Sequence, residues 1–143
     1  MFAATDQQRR YALTILRIGL GIVFIAHGYQ KLFVMHPAGV AGFFGNMGIP
    51  VPLVNAWLVS ILEFFGGILL IAGAATRLVA LGLAIDMIVA TLLVHLPNGF
   101  FMGEKPGVEF TMLLAIGALA LVVGGPGSPS IDELRNKSTE SAA

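Results

Sequence analysis

The chain has 143 residues, of which 57% are hydrophobic and 11% are charged, and it contains no cysteine. A soluble globular domain carries about 25% charged residues, so this chain has too little polar material to cover a water-exposed surface. The formal net charge of 0 gives no cationic field for nucleic acid. The lack of cysteine excludes disulfides, thiol nucleophiles and cysteine-ligated iron–sulfur clusters.

The apolar residues are concentrated in four blocks, which we interpret as transmembrane helices. In chain order the blocks are 11–33, 54–75, 78–96 and 108–124. A spanning helix needs about 20 mainly apolar residues, and the fourth block, about 25 Å long as a helix, falls slightly short of this. None of the blocks has the polar stripe that a helix of a soluble bundle presents to water. The sequence therefore predicts an all-α, integral membrane four-helix bundle.

The connections between the blocks carry further predictions. After the first block, apolar side chains repeat at helical spacing within 39–47, which predicts a short interfacial or re-entrant helix ended by Gly48. The turn Thr76–Arg77 is so short that the second and third helices must be antiparallel neighbours.

The distribution of lysine and arginine predicts the orientation in the membrane. One side of the bundle carries Arg9, Arg10, Arg77, Arg135 and Lys137. The other side carries Lys105 and, at a helix edge, Lys31. Because cytoplasmic loops are enriched in these residues, both termini are expected in the cytoplasm. After the last helix, Ser130 and Glu133 form a capping-box pattern for a brief turn, and 135–143 is expected to be a disordered tail.

Several ionisable side chains lie inside the predicted spans, where a charge at the bilayer centre costs at least about 2.5–3.5 kcal/mol. Glu63 and Asp86 fall within about 2–3 Å of the midplane, with Arg17 about 8 Å to its cytoplasmic side and His27 about 8 Å to its outer side. Such groups must face the interior and find partners. We expect Arg17 to pair with one of the two acids. The other acid is then protonated or shares a hydrogen bond with His27.

A second polar group lies near the outer ends of the helices and comprises Lys31, His95, Asn98 and Glu109. Lys31 shares a helix face with His27 and is expected to meet Glu109. The two groups together predict a polar path from the outer surface toward the middle of the membrane. The alternative is purely structural: a buried pair of Arg17 and Glu63 orders the helices, and Lys31 and Glu109 extend to the interface.

The candidate binding residues are Arg17, His27, Lys31, Glu63, Asp86, His95 and Glu109. A buried pocket with a cation, acids and a histidine suits a lipid-soluble molecule with polar oxygens, such as a quinone, whose reduction needs protons in a dry site. Any electrons must come from a partner or a bound cofactor. His27 and His95 differ by about 5 Å in depth and are too weak a pattern to predict haem. No metal site is predicted, and no catalytic residue is identified.

Four stretches of the chain, in order and spacing, resemble the DoxX family of membrane proteins. They are Arg17–Phe33, Gly42–Phe44 with Met47–Pro52, Glu63–Arg77 and Gly124–Asp132. The resemblance covers residues 9–134 and implies one domain of four helices in the bacterial inner membrane. The positions that match the family pattern are Arg17, Gly28, Lys31, Glu63, Gly67 and Arg77.

Some members of that family resemble a subunit of a thiosulfate:quinone oxidoreductase, and others accompany oxidoreductases or enzymes of quinone and aromatic detoxification. The resemblance therefore implies a multi-pass protein that supports quinone-linked redox chemistry or the response to oxidative or electrophilic stress. The alternatives are a non-catalytic scaffold or assembly factor for a partner oxidoreductase, and a small-molecule carrier. The expected partners are the lipid bilayer, an oxidoreductase and a quinone-like molecule; a homo-oligomer and catalysis are left open, and nucleic acid is not expected.

Overall fold

The computed structural model describes residues 3–141, with side chains up to Thr139, and over this range the chain is built from helices. The α-helices are α1 (Asp6–Tyr29), α2 (His36–Asn46), α3 (Pro52–Ala72), α4 (Thr76–Ala90), α5 (Glu109–Gly124) and α6 (Ile131–Ser141). Irregular turns continue two of them: the π-helical segment Gln30–Val34 follows α1, and the π-helical segment Thr91–His95 with the 3₁₀ segment Leu96–Asn98 follows α4. The predicted all-α class is confirmed.

Three helical segments are long and apolar enough to cross a membrane: Asp6–Val34 with 29 residues, Pro52–Ala72 with 21 and Thr76–Asn98 with 23. The fourth, α5, is apolar but has 16 residues. At about 24 Å it is shorter than a hydrocarbon core of about 30 Å, so it requires local thinning of the bilayer or polar groups that extend from its ends.

α1 begins earlier than the apolar block that predicts it. Thr5 and Gln8 form a capping box, in which each side chain accepts a hydrogen bond from the backbone N–H of the other residue. The box satisfies N–H groups that a helix start leaves unpaired, so the helix begins at Asp6 instead of Tyr11. α1 therefore extends about one turn beyond the apolar block. The centre of the helical segment lies nearer the N-terminus than the centre of the block, from which the depths of Arg17 and His27 are estimated.

The two predicted connections are present. The short helix expected within 39–47 is α2, which packs on α3 with Pro37 and Val40 buried. The turn between α3 and α4 closes at Gly73, whose φ of 69° is in the left-handed region that ends helices at low cost for glycine. α3 and α4 are consequently antiparallel neighbours, as predicted.

Small residues bring α1 and α3 into close contact. A Cβ atom added at Gly67 would lie 2.7 Å from the carbonyl oxygen of Gly21, and one at Gly28 would overlap the backbone of Phe64. In lipid, such close backbone approach replaces the hydrophobic drive that holds helices together in water. α4 and α5 form the second extensive pair, and the four long helices α1, α3, α4 and α5 enclose one interior.

The interior of the bundle is divided between an apolar half and a polar half. Buried apolar side chains fill the half nearer the termini; they are Leu20, Phe24, Leu70, Val79, Ala80, Leu83, Met87, Leu114, Ala115 and Leu121. Large apolar side chains also cover the outside, such as Leu78 at 73% exposed and Val123 at 79%. An outside of this kind is suited to lipid contact. The polar half is described below.

The C-terminal segment forms the helix α6. Ser130 caps α6, since its Oγ accepts from the backbone N–H of Glu133 at 3.2 Å, and an ion pair of 3.0 Å joins Lys137 to Glu133 one turn earlier. The helix continues to Ser141, which covers residues 135–141 of the predicted tail; residues 142–143 lie outside the described residues. Arg10 Nη2 lies 2.5 Å from Glu133 Oε1, so the two terminal segments share one end of the bundle.

Candidate functional site

A buried ion pair lies in the middle of the bundle. Lys31 Nζ lies 2.5 Å from Glu63 Oε2, and the Glu63 side chain is only 3% exposed whereas that of Lys31 is 22% exposed. Glu63 is about 16 Å from the start of α3 and about 14 Å from its end, so this pair is near mid-span. The structure does not pair Arg17 with Glu63 or Asp86: Lys31 is the partner of Glu63, and the acid within electrostatic range of Arg17 is Asp132.

Lys31 belongs to the π-helical turn Gln30–Val34, where the backbone N–H of Met35 donates to the carbonyl of Gln30 at 2.8 Å. A π turn holds one more residue than an α turn, and such turns are frequent at functional sites. The turn places the end of the α1 segment beside the middle of α3 while the chain continues toward α2. No local sequence signal predicted this irregularity.

Two further ionisable side chains approach the pair. Asp86 of α4 and His27 of α1 both lie within electrostatic range of Glu63 and Lys31. The ring of His27 also lies 5.7 Å from that of Phe110 on α5, centroid to centroid. His27, Lys31, Glu63 and Asp86 thus form one group, called here the mid-span cluster, to which α1, α3 and α4 all contribute.

The hydrogen bonding of the cluster is incomplete. Oδ2 of Asp86 is buried, and no N–H or hydroxyl group of the described residues donates to it; the Asp86 and Glu63 carboxyl groups lie close enough to share a hydrogen bond when one of them carries a proton. With Lys31 charged, two ionised carboxylates would leave one negative charge in excess, which a proton on either carboxyl or on His27 balances. The cluster is therefore a mid-span site that can hold a proton and accept a hydrogen bond from an added donor.

Arg17 lies at the end of the bundle that carries the termini and not in the cluster. Its side chain contacts Gly73 at the end of α3, and Nη2 donates to the carbonyl oxygen of Pro129 at 2.8 Å. Nε and Nη1 are buried without a partner in the part of the chain that the structure describes. Arg17 lies away from Glu63 because the glycine contacts between α1 and α3 set it level with Gly73, at the end of α3.

The four residues of the predicted outer polar group do not lie together in the structure. Glu109 Oε1 accepts from the backbone N–H of Met102 at 2.6 Å instead of meeting Lys31. His95 Nδ1 lies 2.9 Å from the carbonyl oxygen of Pro106, which also accepts from Asn98 at 3.1 Å. Glu109 and His95 therefore hold the loop before α5, and only Lys31 joins the cluster.

Hydroxyl groups that sequence reasoning missed complete the polar half of the interior. Thr91 Oγ1 donates to Thr111 Oγ1 at 2.8 Å and joins the end of α4 to α5. Ser60, fully buried one turn before Glu63, donates to the carbonyl oxygen of Ala56 at 2.6 Å. A single threonine or serine in an apolar run gives no sign of its partner, so these contacts had no usable sequence signal.

Two cavities, of about 280 and 380 Å³, lie at the end of the bundle that carries the termini and are lined by residues other than the mid-span cluster. Within the cluster, the side chains of Lys31, His27 and Asp86 are each partly exposed at the surface of the bundle. Within residues 3–141, no group of three or more His, Asp or Glu side chains is placed to hold a metal ion.

Comparison with known proteins identifies the family. The family model DoxX matches residues 12–96, a stretch that contains all four members of the mid-span cluster. The chain belongs to the DoxX family. No solved structure matches it.

Relatives of this DoxX protein extend over most of its length. It is 34% identical to the putative oxidoreductase CatD of Bacillus subtilis, over 82% of each chain. It is 35% identical to the inner membrane protein YqjF of Escherichia coli, over 86% of this chain and 91% of the relative. An uncharacterized membrane protein of Mycobacterium tuberculosis is 32% identical over 85% of this chain and 80% of its own. The DoxX protein described here is a multi-pass inner-membrane protein, as predicted.

Proposed function

We propose that this DoxX protein supports quinone-linked redox chemistry, or the response to oxidative or electrophilic stress, by holding a quinone-like molecule at the mid-span cluster. The observation that carries the proposal is the mid-span group of His27, Lys31, Glu63 and Asp86, in which no N–H or hydroxyl group of the described residues donates to the buried Oδ2 of Asp86. A buried acceptor without a partner costs about 1–3 kcal/mol, and more when it is charged. A ligand hydroxyl that donates to this oxygen recovers that energy.

The cluster offers groups for both redox forms of such a ligand. Lys31 is a donor with three N–H groups, suited to a quinone carbonyl, whereas Asp86 is an acceptor suited to a quinol hydroxyl. Reduction of a quinone to a quinol consumes two electrons and two protons. Glu63, Asp86 and His27 are groups that can hold those protons.

The electrons come from elsewhere, because this chain has no cysteine and its other side chains do not carry electrons at ordinary potentials. We therefore assign their supply to a partner oxidoreductase. The relative CatD is itself named a putative oxidoreductase, which supports a redox setting for the family.

A lipid-soluble ligand enters from the side of the bundle. α1 packs less extensively on α5 than on α3, and the contact of His27 with Phe110 lies on this weaker boundary. Displacement of the Phe110 ring would open the cluster toward lipid without breaking the glycine contacts between α1 and α3.

The test is photolabelling of the purified protein in lipid nanodiscs with an azido-benzoquinone that carries a decyl chain. We expect labelling of the wild type, a loss of at least tenfold with Glu63→Gln and with Asp86→Leu, and wild-type labelling with Glu109→Gln. Glu109 is the matched control, since it is an acid of the same bundle that is bonded to a loop. Thermal unfolding of each variant separates loss of binding from loss of fold. Equal labelling of all variants, or none of the wild type, contradicts the proposal.

The rival function is a scaffold for a partner oxidoreductase. The Lys31–Glu63 pair favours it, because this pair joins α1 to α3 and needs no ligand. Under this alternative, Glu63→Gln lowers the yield of folded protein or of its complex, and no quinone labelling exists to be lost. A carrier would instead move the quinone analogue across proteoliposomes.

A further inference from the structure

The cytoplasmic end carries a pair of adjoining cavities that the proposed function does not use. The smaller, of about 280 Å³, is lined by Arg10, Leu13, Gly124, Pro126, Gly127, Glu133, Asn136 and Lys137. The larger, of about 380 Å³, is lined by Asp6, Gln7, Arg10, Tyr11, Ser128 and Glu133. Both share Arg10 and Glu133, so they meet at the ion pair that joins α1 to α6.

The smaller cavity has an excess of positive charge. Arg10 Nη2 lies 2.5 Å and Lys137 Nζ 3.0 Å from the same oxygen, Oε1 of Glu133. Two cations therefore share one carboxylate, and one positive charge remains unbalanced. Glu133 does not add to this excess by taking up a proton, because hydrogen bonds from Ser128 and Lys137 lower its pKa to about 2.

The same cavity has an apolar wall formed by Leu13 and Gly124. Leu13 and Gly124 meet where α1 packs on the last residue of α5, so this wall is at the level where the apolar helix surfaces begin. The polar wall is formed by Arg10, Lys137 and Asn136. A cationic wall beside an apolar wall, at the cytoplasmic edge of a bundle, matches a molecule with an anionic head and a hydrocarbon tail.

We propose that this cavity binds the headgroup of an anionic phospholipid of the cytoplasmic leaflet. The phosphodiester contacts Arg10 and Lys137, and the first part of an acyl chain lies along Leu13. A zwitterionic lipid carries its own positive charge, so it does not balance the excess positive charge of the cavity. A free phosphate does not use the apolar wall. The bound lipid would also hold α6 on α1, since Lys137 belongs to α6 and Arg10 to α1.

The test uses the purified full-length protein in a neutral detergent, titrated with phosphatidylglycerol or with phosphatidylcholine of the same acyl chains. Thermal unfolding and native mass spectrometry report the bound lipid. We expect phosphatidylglycerol to raise the Tm and to bind at least tenfold more tightly than phosphatidylcholine, with a preference that weakens as salt is added. Soluble glycerol phosphate is expected to leave the Tm unchanged.

Substitutions of single residues test which side chains bind the lipid headgroup. Lys137→Gln is expected to weaken phosphatidylglycerol binding at least threefold, and the double variant with Arg10→Gln at least tenfold. Lys137 is 69% exposed, so its single variant is expected to fold normally. Arg135→Gln is the matched control, since it removes the same charge from the same helix outside the lining of either cavity. Equal binding of both lipids, equal binding of glycerol phosphate, or an equal loss with Arg135→Gln overturns the proposal.

Discussion

Gly28 of α1 lies so close to Phe64 of α3 that a side chain on Gly28 would overlap the backbone of Phe64. This contact fixes how far α1 is displaced along α3. Because Glu63 directly precedes Phe64 and Lys31 follows Gly28 by three residues, the same contact brings the ion pair together. A glycine thereby determines which cation reaches the mid-span acid.

The close contact predicts that Gly28→Ala strongly lowers the stability of the protein. The added methyl group meets backbone atoms that cannot rotate away, so we expect a loss of at least about 1–3 kcal/mol in the free energy of unfolding. Gly19→Ala is the control, since nothing lies within 4 Å of a Cβ atom there, and it should be neutral or stabilising. Denaturant unfolding of the two purified variants measures the difference. Equal effects would show that the contact does not fix the helix register.

The buried pair predicts a non-additive double variant. Lys31→Met leaves the Glu63 carboxylate without its cation, and breaking a buried pair in this way costs about 3–5 kcal/mol. Lys31→Met combined with Glu63→Leu removes both charges, so we expect it to recover much of that loss. Unfolding free energies of the single and double variants test this in one cycle. Additive losses would mean that the two side chains do not interact.

The contacts of Asp132 predict that acid weakens the connection between α4 and α6. Its carboxylate accepts from the backbone N–H groups of Ala75 (2.8 Å) and Thr76 (2.9 Å), and so caps α4 from α6. Asp132→Ala is expected to cost about 0.5–2 kcal/mol at neutral pH, the range for a lost helix cap. The measurement is the Tm of both proteins at neutral pH.

The wild type and Asp132→Ala also test how the stabilising effect of Asp132 changes with pH. Partial burial by itself raises the pKa of Asp132, but the hydrogen bonds from Thr76 and Ala75 outweigh it and lower the pKa overall. Its stabilising contribution is therefore complete above the unfolded value of about 3.9 and is lost as the pH falls through the lower folded value. The difference in Tm between the wild type and Asp132→Ala should shrink below about pH 4. A difference that grows in acid would contradict this assignment.

The absence of cysteine makes the orientation directly testable. We expect Gly103→Cys, in the loop before α5, to react with a membrane-impermeant maleimide in right-side-out vesicles. Ala4→Cys, just before α1, should react only after the membrane is permeabilised, because the terminal end of the bundle carries the excess of arginine and lysine. The reverse labelling pattern would invert the proposed topology.

Much of the architecture could be predicted from local patterns. Each apolar block is a continuous run, and its length decides whether it can span a membrane, so the helical class and the short α2 needed no knowledge of tertiary contacts. The cost of a charge in lipid likewise identified Glu63 as a buried group and Asp86 as an interior-facing group, of which only Oδ2 is fully buried. Helix ends were less predictable. The capping box at Thr5 starts α1 before its apolar block, and the ion pair between Lys137 and Glu133 lies in the part of α6 that continues beyond the predicted turn.

The pairing of the buried groups was decided only by the tertiary structure. Arg17 and Lys31 are both cations of the first membrane-spanning segment, and nothing in their spacing shows which of them is level with Glu63. The answer depends on the displacement of one helix along another, which long-range contacts such as Gly28 with Phe64 set. Composition thus determined what must be buried in this protein, and packing between distant segments determined which groups meet there.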